Sequence, residues 1–177
     1  MLTGKEIVEK QVITNYKEGN VQQQGIDVRV NRVFGLGKNY EGNWHPNLDL
    51  EHIGWIPKEG KTKLPRTQEI APSVYDCGFG WLLYPGYYEI VFWEGCKVPN
   101  DCCMEFKTRS SVVRCGGEVR SGLFDAGFET EHMGAFLKVE EPMFIACESR
   151  LAQVIVHGTN KVENTYSGQW QNDNQRK

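Results

Sequence analysis

The chain has 177 residues, mixed charge with a net of −3, and 40 % hydrophobic side chains. That is enough to bury one core, and it excludes both a disordered chain and a nonspecific nucleic-acid binder. No apolar run is long enough to cross a bilayer, and MLTGKEIVEK lacks the apolar stretch of a signal peptide. A cytoplasmic protein with no membrane partner is therefore expected, and a phosphate ligand stays compatible with the net charge through local arginines.

Residues 2–10 predict a short helix, with Thr3 as cap and Glu6 three residues on. Ile7 and Val8 would face the core. In GIDVRV, Ile26, Val28 and Val30 alternate with Asp27 and Arg29, which predicts a half-buried strand. Residues 35–72 are a polar, Gly-, Pro- and Asn-rich excursion with scattered aromatics (Tyr40, Trp44, Trp55) and room for one or two short strands. From Ser73 onward short β segments alternate with Gly or Pro. GWLLYPGYYEIVFW reads as two strands around Pro85-Gly86, followed by CCMEFKTRSSVVRCG, GAFLKVEEPMFIAC and RLAQVIVHG. Many short strands and almost no helical periodicity predict one all-β domain over residues 1–177, a barrel or jelly roll. The polar, aromatic segment 164–177 reads as a flexible tail outside the core.

Six cysteines show no CxxC pair and no zinc spacing. Buried, reduced thiols are expected. His45, His52, His132 and His157 share no metal spacing, and only His132, just past a turn, falls near a prospective pocket.

Four polar clusters interrupt the β pattern. Asp27 is either a solvent-facing acid or an anchor for a metal or an arginine. KTRSSVVR places Ser110 and Ser111 between Arg109 and Arg114; hydroxyls and guanidinium groups suit phosphate oxygens, and an ion-paired surface turn has the same composition. Gln153, inside RLAQVIVHG, needs a partner if buried, from the backbone or from a ligand. SGLFDAGFE holds Asp125 between Phe124 and a tight Ala126-Gly127 turn, followed by Phe128. A plain hairpin has this form, and so does a general base beside an aromatic platform.

Taken in order, GIDVRV, RSSVVR, GLFDAGF, RLAQ and the tail YSGQWQ resemble the dUTPase/dCTP deaminase superfamily, over most of the chain outside residues 35–72. Both termini resemble the deaminase-type branch. The resemblance implies a distorted β jelly roll (β-clip) with a short N-terminal helix, assembled as a homotrimer with active sites between subunits. It implies a pyrimidine deoxynucleoside triphosphate, dUTP or dCTP, as ligand, with Mg2+ on its phosphates. Arg109, Ser110, Ser111 and Arg114 match the phosphate segment, and Asp125 matches the acid that holds the sugar and orients the attacking water. Phe128 matches the aromatic under the deoxyribose, Gln153 the amide of the fourth motif, and Asp27 the acid that reaches the metal through water. Tyr166, Gln169 and Gln171 match the tail that closes over the ligand. Gln169 stands where relatives often carry Lys, a charge that Arg176 or Lys177 would have to replace.

Two reactions share this scaffold. Deamination needs a second carboxylate on the strand after the turn, and an ungapped count from Asp125 lands on Ala135. Glu140 is the next candidate if ETEHMG is an insertion. The expected activity is therefore hydrolysis of dUTP to dUMP and pyrophosphate. The alternatives are a dCTP deaminase, a bifunctional dCTP deaminase/dUTPase, and a catalytically silent nucleotide-binding relative.

Overall fold

The computed structural model describes residues 1–36, 56–62 and 67–172. Tyr40, Trp44, Trp55, His45, His52, Arg176 and Lys177 lie outside the described residues. The chain folds mostly into β structure. Helix α1 (Gly4–Glu9) leads into β1 (Ile13–Thr14), β2 (Val21–Gln22) and β3 (Gly25–Leu36). Next come β4 (Thr67–Ile70), β5 (Ser73–Tyr75), β6 (Gly78–Leu83), β7 (Gly86–Phe92), β8 (Gly95–Lys97) and β9 (Cys102–Thr108). Helix α2 (Ser110–Arg114) precedes β10 (Gly117–Arg120), β11 (Glu129–Thr130), β12 (Gly134–Val139), β13 (Met143–Ala146) and β14 (Arg150–Gly158).

The expected capping box forms. Thr3 Oγ1 accepts the Glu6 N–H at 3.3 Å, and Glu6 Oε2 accepts the Thr3 N–H at 2.7 Å. Ile7 is fully buried. The RSSVVR segment departs from the all-strand expectation: β9 stops at Thr108, and five residues turn helical, burying Val112. The thiols depart as well, because Cys77 and Cys115 are exposed. Cys96 and Cys102 are buried, and burial pushes their thiols up to about 12 and about 11, which makes them poor nucleophiles. Among the described residues no helix is long and apolar enough to cross a membrane.

The main sheet runs β10-β12-β7-β3-β14-β9, with β2 and β4 also pairing to β3. Three-stranded sheets β1-β8-β11 and β13-β6-β5 flank it. The main sheet curls until its two edges meet. Thr108 Oγ1 on β9 donates to Val119 O at 3.0 Å and accepts the Val119 N–H at 2.9 Å. Met104 and Phe124 then exchange backbone bonds of 3.0 and 2.9 Å. Edge closure by hydroxyls and one bridge gives a barrel-like wall without a continuous ladder.

Strand β3 is central and differs from the half-buried strand expected. Residues 25–30 are buried on both faces. Ile26, Val28 and Val30 fill the core at 0 % exposure, while Asp27 and Arg29 are 2 % and 8 % exposed on the opposite face. Buried charge requires compensation. Glu94, itself 0 % exposed, accepts from Arg29 Nε at 2.6 Å and from the Arg29 backbone N–H at 2.8 Å. Arg29 also donates to Glu148 at 3.2 Å and to Asn15 O at 3.0 Å. The polar half of the alternation therefore faces a layer of ion pairs.

Removing one member of a buried pair strands the other charge. Glu94→Ala should lower unfolding stability by about 3–5 kcal/mol in urea titration, whereas the double change Glu94→Leu with Arg29→Met recovers most of that loss.

Candidate active site

One polar cluster sits where β3, β14 and the β9–α2 junction meet. Asp27 Oδ2 lies 3.1 Å from Arg109 Nε and 3.3 Å from Arg150 Nη1. Arg109 Nη1 also donates to Arg150 O at 3.2 Å. Burial raises the Asp27 carboxyl above its ordinary value, and the charges of Arg109 and Arg150 offset only part of that rise. Asp27 is thus an arginine anchor; the solvent-facing alternative is wrong, because pairing allows the acid to be buried. Arg109 and Arg150 line a cavity of about 470 Å3 together with Lys17, Arg29, Ser111 and Glu148. These four cations outnumber the three acids paired with them, Glu148, Glu94 and Asp27, and the positive excess suits an anion. Ser110 and Arg114 are exposed on α2. Gln153 lies opposite Asp27 in register, half-buried, with no partner for its amide among the described residues. A Cβ at position 25 would meet Val154 O at 2.2 Å and the Gln153 Cγ at 2.9 Å, which is why GIDVRV opens on glycine.

The second cluster is the turn at Asp125. Phe128 N–H donates to Asp125 O at 3.1 Å, and Gly127, at φ +84°, donates to Val98 O at 2.9 Å. Only glycine suits this turn: the backbone is left-handed, and a Cβ would meet Thr165 Cβ at 2.5 Å. The two phenylalanines form a chain of ring contacts from core to tail. Phe106–Phe124, Phe124–Phe128 and Phe128–Tyr166 have centroids 5.3, 5.4 and 5.3 Å apart, all edge-on. The Asp125 side chain is exposed, with no partner among the described residues. It lines a cavity of about 510 Å3 with Cys102, Cys103, Asn160 and Tyr166.

The tail docks on this same turn. Tyr166 N–H donates to Ala126 O at 2.8 Å, Gln171 Nε2 to Gly127 O at 2.9 Å, and Asn172 N–H to Glu129 O at 2.9 Å. Gln169 bonds both backbone groups of Thr62, at 2.7 and 3.0 Å. A neutral amide pairs with a peptide group in a way that lysine cannot.

A third cavity, about 700 Å3, opens beside Phe128 and is walled by Phe124, Phe136, Trp170 and His132. His132 Nδ1 lies 3.3 Å from Trp93 O. Ala135 borders this cavity, but its side chain is buried with Leu137 and Val139, on the core side of β12. Glu140 falls just past the end of that strand, exposed and bonded to Lys138. The acid that does line the cavity is Glu89 on β7, which the motif reading missed. Its signal was a lone carboxylate in GYYEIVF, out of phase with the core residues Ile90 and Phe92.

The turn and the arginine cluster stand at opposite ends of β9. Cys102 is beside Asp125 and Thr108 precedes Arg109, so seven strand residues separate them by about 20 Å. As for a metal, Asp27 already carries two guanidinium groups, and among the described residues no three His, Cys, Asp or Glu side chains gather to hold an ion. These residues do not form a protein cage. They are compatible with an ion held mainly by phosphate and water, as Mg2+ often is.

Known proteins resemble the chain along most of its length. The chain is 28 % identical over 133 residues to a probable deoxyuridine 5'-triphosphate nucleotidohydrolase of Methanosarcina mazei, covering 72 % of this chain and 78 % of that protein. It is 29 % identical over 161 residues to the deoxyuridine 5'-triphosphate nucleotidohydrolase of Methanocaldococcus jannaschii, covering 90 % and 92 %. Its fold resembles the 2'-deoxycytidine 5'-triphosphate deaminase of Agrobacterium tumefaciens, with a TM-score of 0.56 at 16 % identity, over 88 % of this chain and 46 % of that one. The dCTP deaminase-like family model matches residues 2–159, and the chain belongs to that family.

Proposed function

We propose that the chain hydrolyses dUTP to dUMP and pyrophosphate, with Asp125 as general base. The carrying observation is the exposed Asp125 carboxylate on a turn held rigid by Gly127, the Phe124–Phe128 ring contact and the docked tail. The archaeal relatives carry names for this reaction along most of their length. Asp125 takes a proton from water as the water oxygen bonds to Pα; the Pα–O bond to the β-phosphate breaks and pyrophosphate leaves. Phe128 supports the deoxyribose, and Tyr166, Gln169 and Gln171 close the tail over the nucleotide. Mg2+ arriving on the triphosphate would offset its charge, with Asp27 reaching it through water. Deamination is disfavoured because β12 turns Ala135 toward the core, and no acid replaces it on that strand.

The separation along β9 supports a composite site in a trimer of distorted jelly rolls. The turn of one copy would meet Arg109, Ser110, Ser111, Arg114 and Gln153 of another, so that a triphosphate spans both.

Asp125→Asn should lose about 10²–10⁴-fold in kcat while still binding a nonhydrolysable dUTP analogue; turnover near that of the unmodified chain would reject the assignment. For the composite site, Asp125→Asn and Arg109→Ala should each be strongly impaired alone, and co-refolding the two should raise turnover well above either in particles that light scattering weighs as three copies. A mixture as inactive as its parts would place the site within one chain.

A further inference from the structure

The cavity of about 700 Å3 has a floor that the proposed hydrolysis leaves unexplained. Strand registers set Arg120 opposite Phe136, Phe136 opposite Glu89, and Glu89 opposite Phe34. These four side chains share one face of the sheet, away from the core face that carries Leu137 and Ile90. Glu89 therefore lines the cavity from β7 beside Phe136, and Phe128 and Trp170 belong to the same wall. The volume lies within the ordinary range for small-molecule sites, and the aromatic walls suit a flat ring.

A carboxylate accepts hydrogen bonds and, when ionised, donates none. Beside a stacked pyrimidine it selects an edge that donates N–H. Uracil has one such group, N3–H, flanked by two carbonyl oxygens whose lone pairs repel a carboxylate. Cytosine has an amino group at position 4, with one N–H directed away from the N3 lone pair. Acidic side chains favour that amino group in base readout.

We infer that Glu89 reads the 4-amino group of cytosine, so that the chain also hydrolyses dCTP, to dCMP and pyrophosphate. The step balances as for dUTP: water adds to Pα, the α–β anhydride breaks, and the base keeps its amine. The inference rests on the proposed hydrolytic role of Asp125 and extends it to a second substrate. A carboxylate beside the amine is distinct from one placed to shuttle protons at the ring carbon, and β12 offers none there.

The test incubates the full chain with dCTP, dUTP and the triphosphate of the pyrimidin-2-one deoxynucleoside, which lacks the 4-amino group. Nucleotides are separated by chromatography, and pyrophosphate and ammonia are measured. We expect dCMP and pyrophosphate without ammonia, and kcat/KM about tenfold lower for the pyrimidin-2-one than for dCTP. In Glu89→Gln the dCTP-to-dUTP ratio of kcat/KM should fall about tenfold, while Glu118→Gln, on the same sheet, leaves the ratio unchanged. The pyrimidin-2-one comparison uses the unmodified chain and stands even where Glu89→Gln does not fold. Hydrolysis of dUTP but not dCTP, equal rates for dCTP and the pyrimidin-2-one, or an unchanged ratio in Glu89→Gln would each overturn this inference alone. Release of ammonia from dCTP would overturn it in favour of deamination. Hydrolysis of neither dUTP nor dCTP would overturn the reading of Asp125 and this inference with it.

Discussion

The buried charges of β3 are the constraint on which the rest depends. Arg29 and Asp27 sit two residues apart on one face of the central strand, and neither can be desolvated alone. Arg29 is met by Glu94 from the turn before β8, and by Glu148 from the turn before β14. Asp27 is met by Arg109 and Arg150. These pairs gather three distant chain segments, at Glu94, Arg109 and Glu148–Arg150, around one strand. The same guanidinium groups that neutralise Asp27 line the cationic cavity, so the stability of β3 and the charge of the prospective phosphate site share one set of atoms.

The barrel-like closure has a related consequence. Because β9 meets β10 through Thr108 and the Met104–Phe124 bridge, the segment from Ser121 to Leu123 lies outside a regular ladder. It therefore borders the large cavity, with Ser121 and Gly122 in its wall. A regular hairpin would have spent those backbone groups on strand pairing. The turn beyond it is held by glycine geometry at Gly127 and by a sequence of ring contacts that runs through Phe128 to Tyr166. Tail docking and carboxylate placement are thus mechanically linked.

Glutamine at 169 has a local reason. A lysine there could only donate. The amide instead satisfies both polar groups of the Thr62 peptide, tying the tail to a segment far away in sequence. Cationic charge is concentrated at the other end of β9, around Arg109 and Arg150.

Much of this was legible in the residues alone. The period-two alternation of GIDVRV marks a strand, Thr3 and Glu6 mark a capped helix, and the Gly- and Pro-punctuated segments after Ser73 mark an all-β chain, because these patterns report local backbone preference and one-sided burial. The ordered motifs marked the family and pointed to Asp125. Alternation, however, cannot distinguish a solvent face from an ion-paired one, so the burial of Asp27 depended on arginines more than eighty and one hundred and twenty residues away. Strand parity at Ala135, the helical turn within RSSVVR and the entry of Glu89 from β7 were decided by register and packing across strands. Such contacts join residues that no local pattern connects, and only the folded chain brings them to one cavity.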